Sequence, residues 1–284
     1  MKKILVPALC ALALTVPHLA ARAADTFWVP FHDGQTLSFL QSGSILESNG
    51  SSSSWGPVQL DLHIQAVNVQ LLDHDADWRL VGGDSRFTGT YLAQTAAGLF
   101  RVSEGDPAND AVYRYYTDPQ PWLYLTQPMV VGQAVSYTGL RRGQWAVPSG
   151  GTEAWSGTWS ETYIHLGTET VTTPLGTFDA LKLEARSVTT VDARSLFPNV
   201  TGHATWNELR WFVPGFGYVK VQGSGLDETD FNGDGIVDRW QQEAQTMVAV
   251  PEPAAAWSLL AGLAMLAALI RRRGVCGSSA THAH

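Results

Sequence analysis

Cysteine is nearly absent from this 284-residue chain, and the two that occur, Cys10 and Cys276, lie close to the ends. The long middle of the sequence therefore has no thiol to form a disulfide, to bind a metal or to act as a nucleophile. About 200 residues can bury a hydrophobic core without such cross-links. The absence excludes disulfide scaffolds, cysteine-ligated zinc sites and cysteine hydrolases.

Basic residues are also few, with 18 Lys and Arg against 26 Asp and Glu and a formal net charge of −8. Six of the 18 lie in two terminal segments described below. The other 12 stand against all 26 acidic residues, so the rest of the chain has a net charge of −14. A surface this acidic argues against nucleic acid and against anionic lipid as partners.

Common catalytic motifs are missing as well. The sequence contains no G-x-S-x-G, no H-E-x-x-H, no phosphate-binding loop and no dinucleotide-binding glycine pattern. Helical periodicity is scarce, and no repeat of 20–50 residues is evident. What remains is a chain of short apolar and aromatic runs between turns.

The N-terminus has the three parts of a secretory signal in residues 1–23. Lys2-Lys3 form a basic region, Ile4–Val16 an apolar region, and Ala21-Arg22-Ala23 an A-x-A cleavage site. Cleavage after Ala23 would leave a mature chain that begins at Ala24. The sequence therefore predicts export.

The C-terminus carries a second ordered signal. A linker over residues 248–253 ends in Pro251-Glu252-Pro253, and the 17 residues Ala254–Ile270 follow without a charge. As a helix they would reach about 25 Å, at the low end of what crosses a membrane. Arg271, Arg272 and Arg273 then supply the positive charge that fixes orientation, and residues 274–284 form a polar tail. A transmembrane helix is predicted here.

This order of Pro-Glu-Pro, apolar helix and arginines resembles the PEP-CTERM sorting signal of bacterial exosortase substrates. The resemblance implies transient anchoring in the inner membrane and cleavage by an exosortase near Pro251–Pro253. It also implies delivery of the mature chain to the cell surface or the extracellular polysaccharide matrix. The polar tail beyond the arginines departs from the usual pattern. The alternative is an ordinary C-terminal anchor that is never cut.

Alternation of polar and apolar residues predicts strands through residues 24–229. In Val58–Leu72 the apolar positions change phase at Ala66-Val67, and a β-bulge there would keep one face buried. Phe178–Arg186 alternates without a break. Further strands are predicted at Phe87–Leu92, Val112–Tyr116, Trp122–Leu125, Ala134–Tyr137, Thr158–Leu166, Thr205–Phe212 and Tyr218–Gln222.

Turn residues separate these runs. Pro214-Gly215 and Gly150-Gly151 predict tight reversals, and Ser42–Pro57 is predicted to be a Ser- and Gly-rich loop. Many short strands without a βαβ rhythm favour a mainly β domain, built as an antiparallel sheet, a sandwich or a partly closed β-barrel.

Three spaced cues in Met129–Gly223 are similar to those of exported bacterial half-barrel β domains. The cues are Val131-Gly132-Gln133, the segment Pro174–Lys182 and the segment Trp211–Lys220. The resemblance implies a fold and no particular activity.

One segment has the chemistry of an ion site, within residues 230–247. The pattern D-x-N-x-D-G resembles the EF-hand-like loops of dockerins and secreted repeats. Its oxygen ligands for Ca²⁺ would be Asp230, Asn232, Asp234, the carbonyl of Ile236 and Asp238. Gln241 replaces the usual bidentate carboxylate, so a weak, structural ion is expected. A short helix is predicted over Val237–Met247, and the alternative for the loop is a hairpin turn without an ion.

Other chemistry-bearing clusters have ordinary interpretations. Asp73, His74, Asp75 and Asp77 are interpreted as a solvated turn rather than a metal site. Trp155 and Trp159 would share one strand face, and burial in the core is favoured over a sugar-stacking row with Trp145. Trp206 and Trp211 are expected on opposite faces. A catalytic pair is conceivable among three carboxylates, Glu161, Glu169 and Glu184.

These observations favour a non-enzymatic, exported surface or matrix protein with a structural or binding role linked to exopolysaccharide. The alternatives are a carbohydrate-binding module and a secreted hydrolase with an unrecognised site. A filled interior would favour the structural role, an exposed tryptophan row would favour sugar binding, and a pocket with two carboxylates would favour a glycosidase.

Overall fold

The computed structural model describes residues 31–82, 88–95, 98–125, 130–147, 150–214 and 216–251, with the backbone alone for residues 122–125. The predicted signal (residues 1–23, with Ala21 and Ala23) and the predicted helix and tail lie outside this range. So do Glu252, Pro253 and Arg271–Arg273. No helix in the described ranges has the length and apolar character needed to cross a membrane.

The described chain folds entirely as strands and turns. In chain order the strands are β1 (Thr36–Glu47), β2 (Ser52–Leu71), β3 (His74–Val81), β4 (Thr90–Thr95), β5 (Gly98–Glu104), β6 (Tyr113–Leu125), β7 (Ala134–Ala146), β8 (Thr152–Thr173), β9 (Gly176–Val191), β10 (Ala193–Arg194), β11 (Thr201–Val213), β12 (Gly217–Asp230) and β13 (Arg239–Ala249).

Twelve of these strands close into an antiparallel barrel. Each strand from β1 to β9 pairs with the next one in sequence, β9 pairs with β11, and β11 to β13 follow in order. The ring closes between β1 and β13, where Phe39 lies opposite Ala249. The two-residue strand β10 continues beside β8, with Ala193 opposite Ser156. The predicted antiparallel β fold is confirmed, and the ring is fully closed.

Antiparallel order places the loops at two opposite ends of the barrel. The end we call the terminal end carries residues 31–35, turn 72–73, turn 174–175 and residues 250–251, where the described chain both enters and leaves. The amide of Val250 donates to the carbonyl of Ser38 at 3.0 Å there. The opposite, distal end carries residues 48–51, 105–112, 192–200 and 231–238.

Strand β8 shows how alternation builds the interior. Every second residue from Glu153 to His165 is buried, while the residues between them are exposed or half-buried. Because successive side chains point to opposite faces of a strand, one set points into the barrel and the other to the outside. The predicted strand Thr158–Leu166 is the centre of this longer one.

An apolar layer fills part of the interior. Phe212 of β11 packs in one cluster with Ile64 of β2 and Leu92 of β4, which lie across the ring from it. Leu80, Leu99 and Phe31 complete the buried part of the cluster. Contacts between distant strands show that this layer crosses the inside of the barrel.

Four tryptophans lie directly opposite glycines on the neighbouring strand. The pairs are Trp55–Gly43, Trp155–Gly143, Trp159–Gly139 and Trp206–Gly225. At each glycine an added Cβ would collide with the indole ring. The absence of a side chain lets the flat ring lie across the neighbouring strand and cover its backbone. The high tryptophan content is thus a packing feature of the barrel.

Several strand and turn predictions are confirmed. All nine predicted runs overlap strands of the barrel, two of them in β6 and one each in β2, β4, β7, β8, β9, β11 and β12, although most of the strands are longer than predicted. The register of β2 against β3 shifts between Ala66 and Val69, where the bulge was expected. Gly150 and Gly151, both at φ +89°, form the turn between β7 and β8.

Two predictions at the strand edges are wrong. Val237–Met247 does not form a short helix, because residues from Arg239 onward pair with both β1 and β12 as β13. Ser42–Pro57 is not one long loop. It forms the end of β1 and the start of β2, and only residues 48–51 connect them. In both segments the ladder of backbone hydrogen bonds overrides local composition.

The tryptophan–glycine pairs lead to a stability prediction. Gly143→Ala places a methyl group against the Tyr113 carbonyl oxygen and 2.6 Å from the Trp155 ring, so we expect a loss of about 1–3 kcal/mol in the free energy of unfolding. Gly202→Ala is the control, because its Cβ would meet nothing closer than 3.6 Å. Urea unfolding followed by fluorescence measures both. Equal unfolding midpoints for the two variants would contradict the proposed packing role.

Candidate functional site

Charged side chains gather inside the barrel next to the apolar layer. Arg210 of β11 reaches Glu161 of β8 across the intervening strand, with 3.4 Å between nitrogen and oxygen. Arg210 also pairs with Glu208 at 2.6 Å, and Gln120 of β6 donates to Glu161 at 3.1 Å. Glu161 therefore links three walls of the barrel.

The same network continues to β5. Arg101 pairs with Glu104 at 2.6 Å, and Arg114 pairs with the other oxygen of Glu104 at 2.8 Å. Arg101 also donates to Gln120, which connects this group to Glu161. We call the set Arg101, Glu104, Arg114, Gln120, Glu161, Glu208 and Arg210 the charged layer. Its cations and anions neutralise one another without an external ligand.

Two tyrosines extend the charged layer. Burial raises the pKa of both Tyr163 and Tyr218, so both remain protonated at neutral pH. The guanidinium of Arg210 lies 5.6 Å from the ring centre of Tyr163 and 5.8 Å from that of Tyr218. Burial alone would lower the pKa of Arg210, but Glu208, the two tyrosines and Glu161 outweigh it and raise the pKa. Arg210 therefore stays charged.

A cavity of about 540 Å³ lies near the distal end, beyond the charged layer. Its walls are Val112, Trp145, Ala146, Val147, Glu153, Arg194 and Phe197. Glu153 is buried and accepts three hydrogen bonds, from the Trp145 indole at 3.2 Å and from the amides of Leu196 and Phe197 at 3.3 and 3.2 Å. Glu153 thus fixes the loop that forms one wall.

A second cavity of about 440 Å³ lies between β6 and β9. Its single carboxylate, Asp118, accepts a hydrogen bond from the amide of Leu140 at 2.8 Å. Gly139, Trp159 and Val188 are among its other walls. Each of these two cavities therefore has one carboxylate, and each carboxylate is engaged by backbone amides.

The predicted calcium loop forms the turn between β12 and β13. The carboxylate of Asp230 accepts hydrogen bonds from the amides of Asn232, Gly233 and Gly235 at 3.1, 2.6 and 2.8 Å. Burial would raise the pKa of Asp230, but these amides outweigh it and lower the pKa. The carboxylate therefore organises the turn in the way a hairpin without an ion would require.

The remaining predicted ligands are placed around the same turn. Asp234 accepts a hydrogen bond from the amide of Ile236 at 2.8 Å, and Asp238 accepts one from the amide of Phe231 at 2.7 Å. Gln241, at the twelfth position, lies in β13 opposite Asp227. In the described ranges, no three His, Cys, Asp or Glu side chains are grouped to hold a metal ion.

The conceivable catalytic carboxylates do not converge. Glu161 is in the charged layer, whereas Glu169 is exposed and pairs with Lys182 at 2.8 Å. Glu184 pairs with Arg186 on the outside, since its neighbours Leu183 and Ala185 are the buried residues of β9. The idea that these three form a glycosidase pair is therefore wrong.

The aspartate and histidine cluster at turn 72–73 also separates. The ring of His74 bonds to the carbonyl of Thr117 at 2.9 Å, and Asp77 accepts the amide of Gln94 at 2.6 Å. Asp73 is exposed, 3.9 Å from Arg142. The interpretation as a solvated turn holds for Asp73 alone, because His74, Asp75 and Asp77 belong to β3.

The tryptophan row is buried. Trp155 and Trp159 share the inner face of β8 and are only 5% and 3% exposed. Trp145 is half-buried and stacks on Trp155, with 5.2 Å between ring centres. The favoured interpretation as core is confirmed for Trp155 and Trp159, and these rings offer no flat face to a sugar.

The charged layer was missed by the sequence analysis, although a signal was present. Trp206, Glu208 and Arg210 alternate along β11, so an acid and a base share the face that carries a large aromatic ring. Trp159, Glu161 and Tyr163 repeat the pattern on β8. Charges on an aromatic face indicate burial with a partner, because an unpaired charge there would be costly.

Neither the family models nor the curated proteins searched include a match to this sequence. Three solved structures align over 75–79% of the chain. They are the hypothetical lipoprotein YmcC from Escherichia coli (10% identity, 85% of that chain, TM-score 0.30), a lipoprotein candidate from Parabacteroides distasonis (12%, 97%, 0.26) and a protein with a YmcC-like fold from Bacteroides fragilis (14%, 97%, 0.29). At such low scores none of their properties is carried over to this chain.

The charged layer yields a second stability prediction. Arg210→Met leaves Glu161 and Glu208 buried without their cation, so we expect a loss of about 3–5 kcal/mol in the free energy of unfolding. Arg186→Met removes an arginine of similar size from the exposed pair with Glu184, and its unfolding curve should overlay that of the unchanged protein. Urea unfolding distinguishes the two. A small effect of Arg210→Met would show that the layer is not needed for the fold.

Proposed function

We propose that this chain is an exported, non-enzymatic protein of the bacterial cell surface or extracellular matrix, sorted by a PEP-CTERM signal and acting in a structural or binding role alongside exopolysaccharide. Support for export comes from the signal-like residues 1–23. Support for the sorting route comes from Pro251-Glu252-Pro253, the apolar run after it and Arg271–Arg273. An exosortase is the processing partner that this signal implies.

The observation that carries the structural role is the self-neutralised interior. Glu161 binds both Arg210 and Gln120, and Glu104 binds both Arg101 and Arg114. Groups that are held in ion pairs with one another are poor candidates for acid–base catalysis, because each carboxylate is already engaged by an arginine. A barrel whose interior charges are paired with one another suits a protein that spaces or binds other components.

The position of the chain ends supports the same role. Both ends of the described chain leave from the terminal end, and Pro251 follows β13 directly. A membrane anchor after Pro253 would therefore hold the barrel by this end. The loops of the distal end would then be presented outward.

We also propose a weak, structural Ca²⁺ in the β12–β13 turn. The ligands would be Asp230, Asn232, Asp234, the carbonyl of Ile236 and Asp238, an all-oxygen set of the kind that Ca²⁺ prefers. These residues lie in one turn whose backbone is already ordered by Asp230. The ion would stiffen the turn and would take no part in a reaction.

Processing is tested by mass and location. Replacement of Pro251-Glu252-Pro253 by three alanines should leave the chain in the inner membrane with residues 254–284 attached, whereas the unchanged protein should lose them. Deletion of residues 274–284 alone is the control and should not block processing. Intact mass spectrometry of fractionated cells gives the answer. A mature unchanged protein that still contains Ala254–Ile270 would establish an ordinary anchor instead.

Calcium is tested by calorimetry on the full-length protein. We expect binding heat at roughly 10⁻⁴–10⁻³ M Ca²⁺ and its loss in Asp234→Asn, which keeps an acceptor for the Ile236 amide but removes the charge. Asp75→Asn, a change at an exposed position of β3 near the terminal end, is the matched control. No heat from the unchanged protein, or equal heat from Asp234→Asn, would reject the ion.

A further inference from the structure

Four side chains form a stacked column beside the distal cavity. The guanidinium of Arg194 lies 4.8 Å from the ring centre of Trp145, whose ring stacks on Trp155 at 5.2 Å and 21°. Arg141 covers the other side of Trp155, at 5.2 Å from its ring centre. Cations on aromatic faces are attracted to them, so the column fixes Arg194 in the wall of the cavity.

The two arginines of this column differ from the other buried arginines. Arg101, Arg114 and Arg210 each have a carboxylate within ion-pair distance. Among the described residues, neither Arg141 nor Arg194 has one. Arg141 is 8% exposed and donates only to the carbonyl of Thr190, at 3.0 Å.

Burial also acts on both arginines. The Nε atoms of Arg141 and Arg194 are buried and lack an acceptor within the described part of the chain, as do those of Arg101 and Arg114. Burial, reinforced by Arg114, lowers the pKa of Arg141 to about 10. Burial also lowers the pKa of Arg194, and the charges of Glu153 and Asp227 offset only part of this effect. Neither of these carboxylates lies within ion-pair distance of Arg194, so a direct ion pair with an anion from outside would stabilise its charge further.

The cavity combines this cation with apolar walls. Val112, Val147 and Phe197 line it, and Glu153, its only carboxylate, is occupied by the Trp145 indole and two loop amides. The Trp145 ring contacts both Trp155 and Arg194. A ligand therefore has a guanidinium to bind and an apolar wall to pack against.

We propose that this cavity binds the carboxylate of an acidic sugar, with Arg194 as the charged donor and Phe197, Val112 and Val147 against the sugar body. A planar guanidinium matches a carboxylate with two parallel hydrogen bonds. The cavity opens among the distal loops, away from the chain ends, where a polymer in the matrix can reach it. The choice of a sugar acid rests on the proposed matrix role, whereas the carboxylate site rests on the cavity alone.

Calorimetry of the full-length protein tests the site with a galacturonate trimer. We expect the trimer to bind, and Arg194→Gln to weaken it roughly ten- to hundredfold, because a charge-assisted pair is lost. Arg194→Lys keeps the positive charge but loses the planar guanidinium that can donate two parallel hydrogen bonds. Its affinity should fall between those of the unchanged protein and Arg194→Gln. Arg239→Gln is the matched control, since it removes an exposed arginine of the distal end that lies outside the cavity. Near-ultraviolet circular dichroism confirms that each variant is folded.

Three other ligands, a neutral maltose trimer, inorganic phosphate and hexanoate, test whether the cavity recognises a carboxylate and whether it recognises a sugar. A neutral maltose trimer that binds as well as the galacturonate trimer would overturn the role of the carboxylate, as would equal binding of inorganic phosphate. Binding of hexanoate without the galacturonate trimer would overturn the sugar assignment. An equal loss of affinity in Arg194→Gln and Arg239→Gln would show that only the net charge of the protein matters. That result would overturn the proposed site. None of these results depends on the sorting signal, so failure here leaves the processing experiment unaffected.

Discussion

Closure of twelve strands sets the main physical constraint on this protein. A barrel of about eight strands is just wide enough for ordinary side chains to fill, and a wider ring leaves more space inside. Here the extra space is occupied by long side chains, chiefly arginine, tyrosine and tryptophan. Arginine reaches across the interior from β11 to β8, as Arg210 does to Glu161. Long cations in turn require buried anions, which is why the charged layer exists.

The same constraint explains the glycines opposite tryptophans. A large ring that lies across the neighbouring strand needs a position without a side chain, and Gly139 and Gly143 on β7 provide two of them. The rings then fill the space between the strand and the charged layer. Packing density inside proteins is close to that of organic crystals, so an added methyl group at such a position lowers the stability of the fold. The tryptophans and the glycines opposite them therefore belong to one packing arrangement.

The fold class could be predicted from the sequence where strands have one buried face. In Phe178–Arg186 the alternating residues Leu183 and Ala185 are buried beside more exposed polar neighbours. In Val58–Leu72 the contrast is strongest at Ile64, which is buried between the exposed His63 and Gln65. The missed strands lack this contrast. In β13, residues such as Gln241, Gln242 and Glu243 are good helix formers, and the pairing with β1 and β12 decides the outcome. The serine-rich segment Ser52–Ser54 has no apolar alternation, since its side chains are exposed, and its composition therefore predicts a loop although its backbone pairs with β1.

The candidate site was harder to foresee for a different reason. Glu153, Trp145 and Arg194 come from three different strands. Their spacing in the sequence does not show that they lie close together in the folded protein. A buried arginine looks the same in sequence as an exposed one. The one sequence signal is an aromatic residue on the same strand face as the charged residues. Trp206 shares its face of β11 with Glu208 and Arg210, which indicates that these charges point into the barrel. The β12–β13 turn poses the opposite problem, because Asp, Asn and Gly at these spacings suit both an ion and a tight hairpin.

The topology separates the two ends of the molecule by function. An even number of antiparallel strands in the ring brings both ends of the described chain to the terminal end, beside the hydrogen bond from Val250 to Ser38. The 11 residues of β13 span about 35 Å when fully extended, and somewhat less along the axis of a tilted strand. A tail that follows Pro251 therefore starts roughly one barrel length from Arg194 and Phe197. Sorting and cleavage can act at one end without contact with the cavity, so the two activities proposed for this chain do not compete for the same surface.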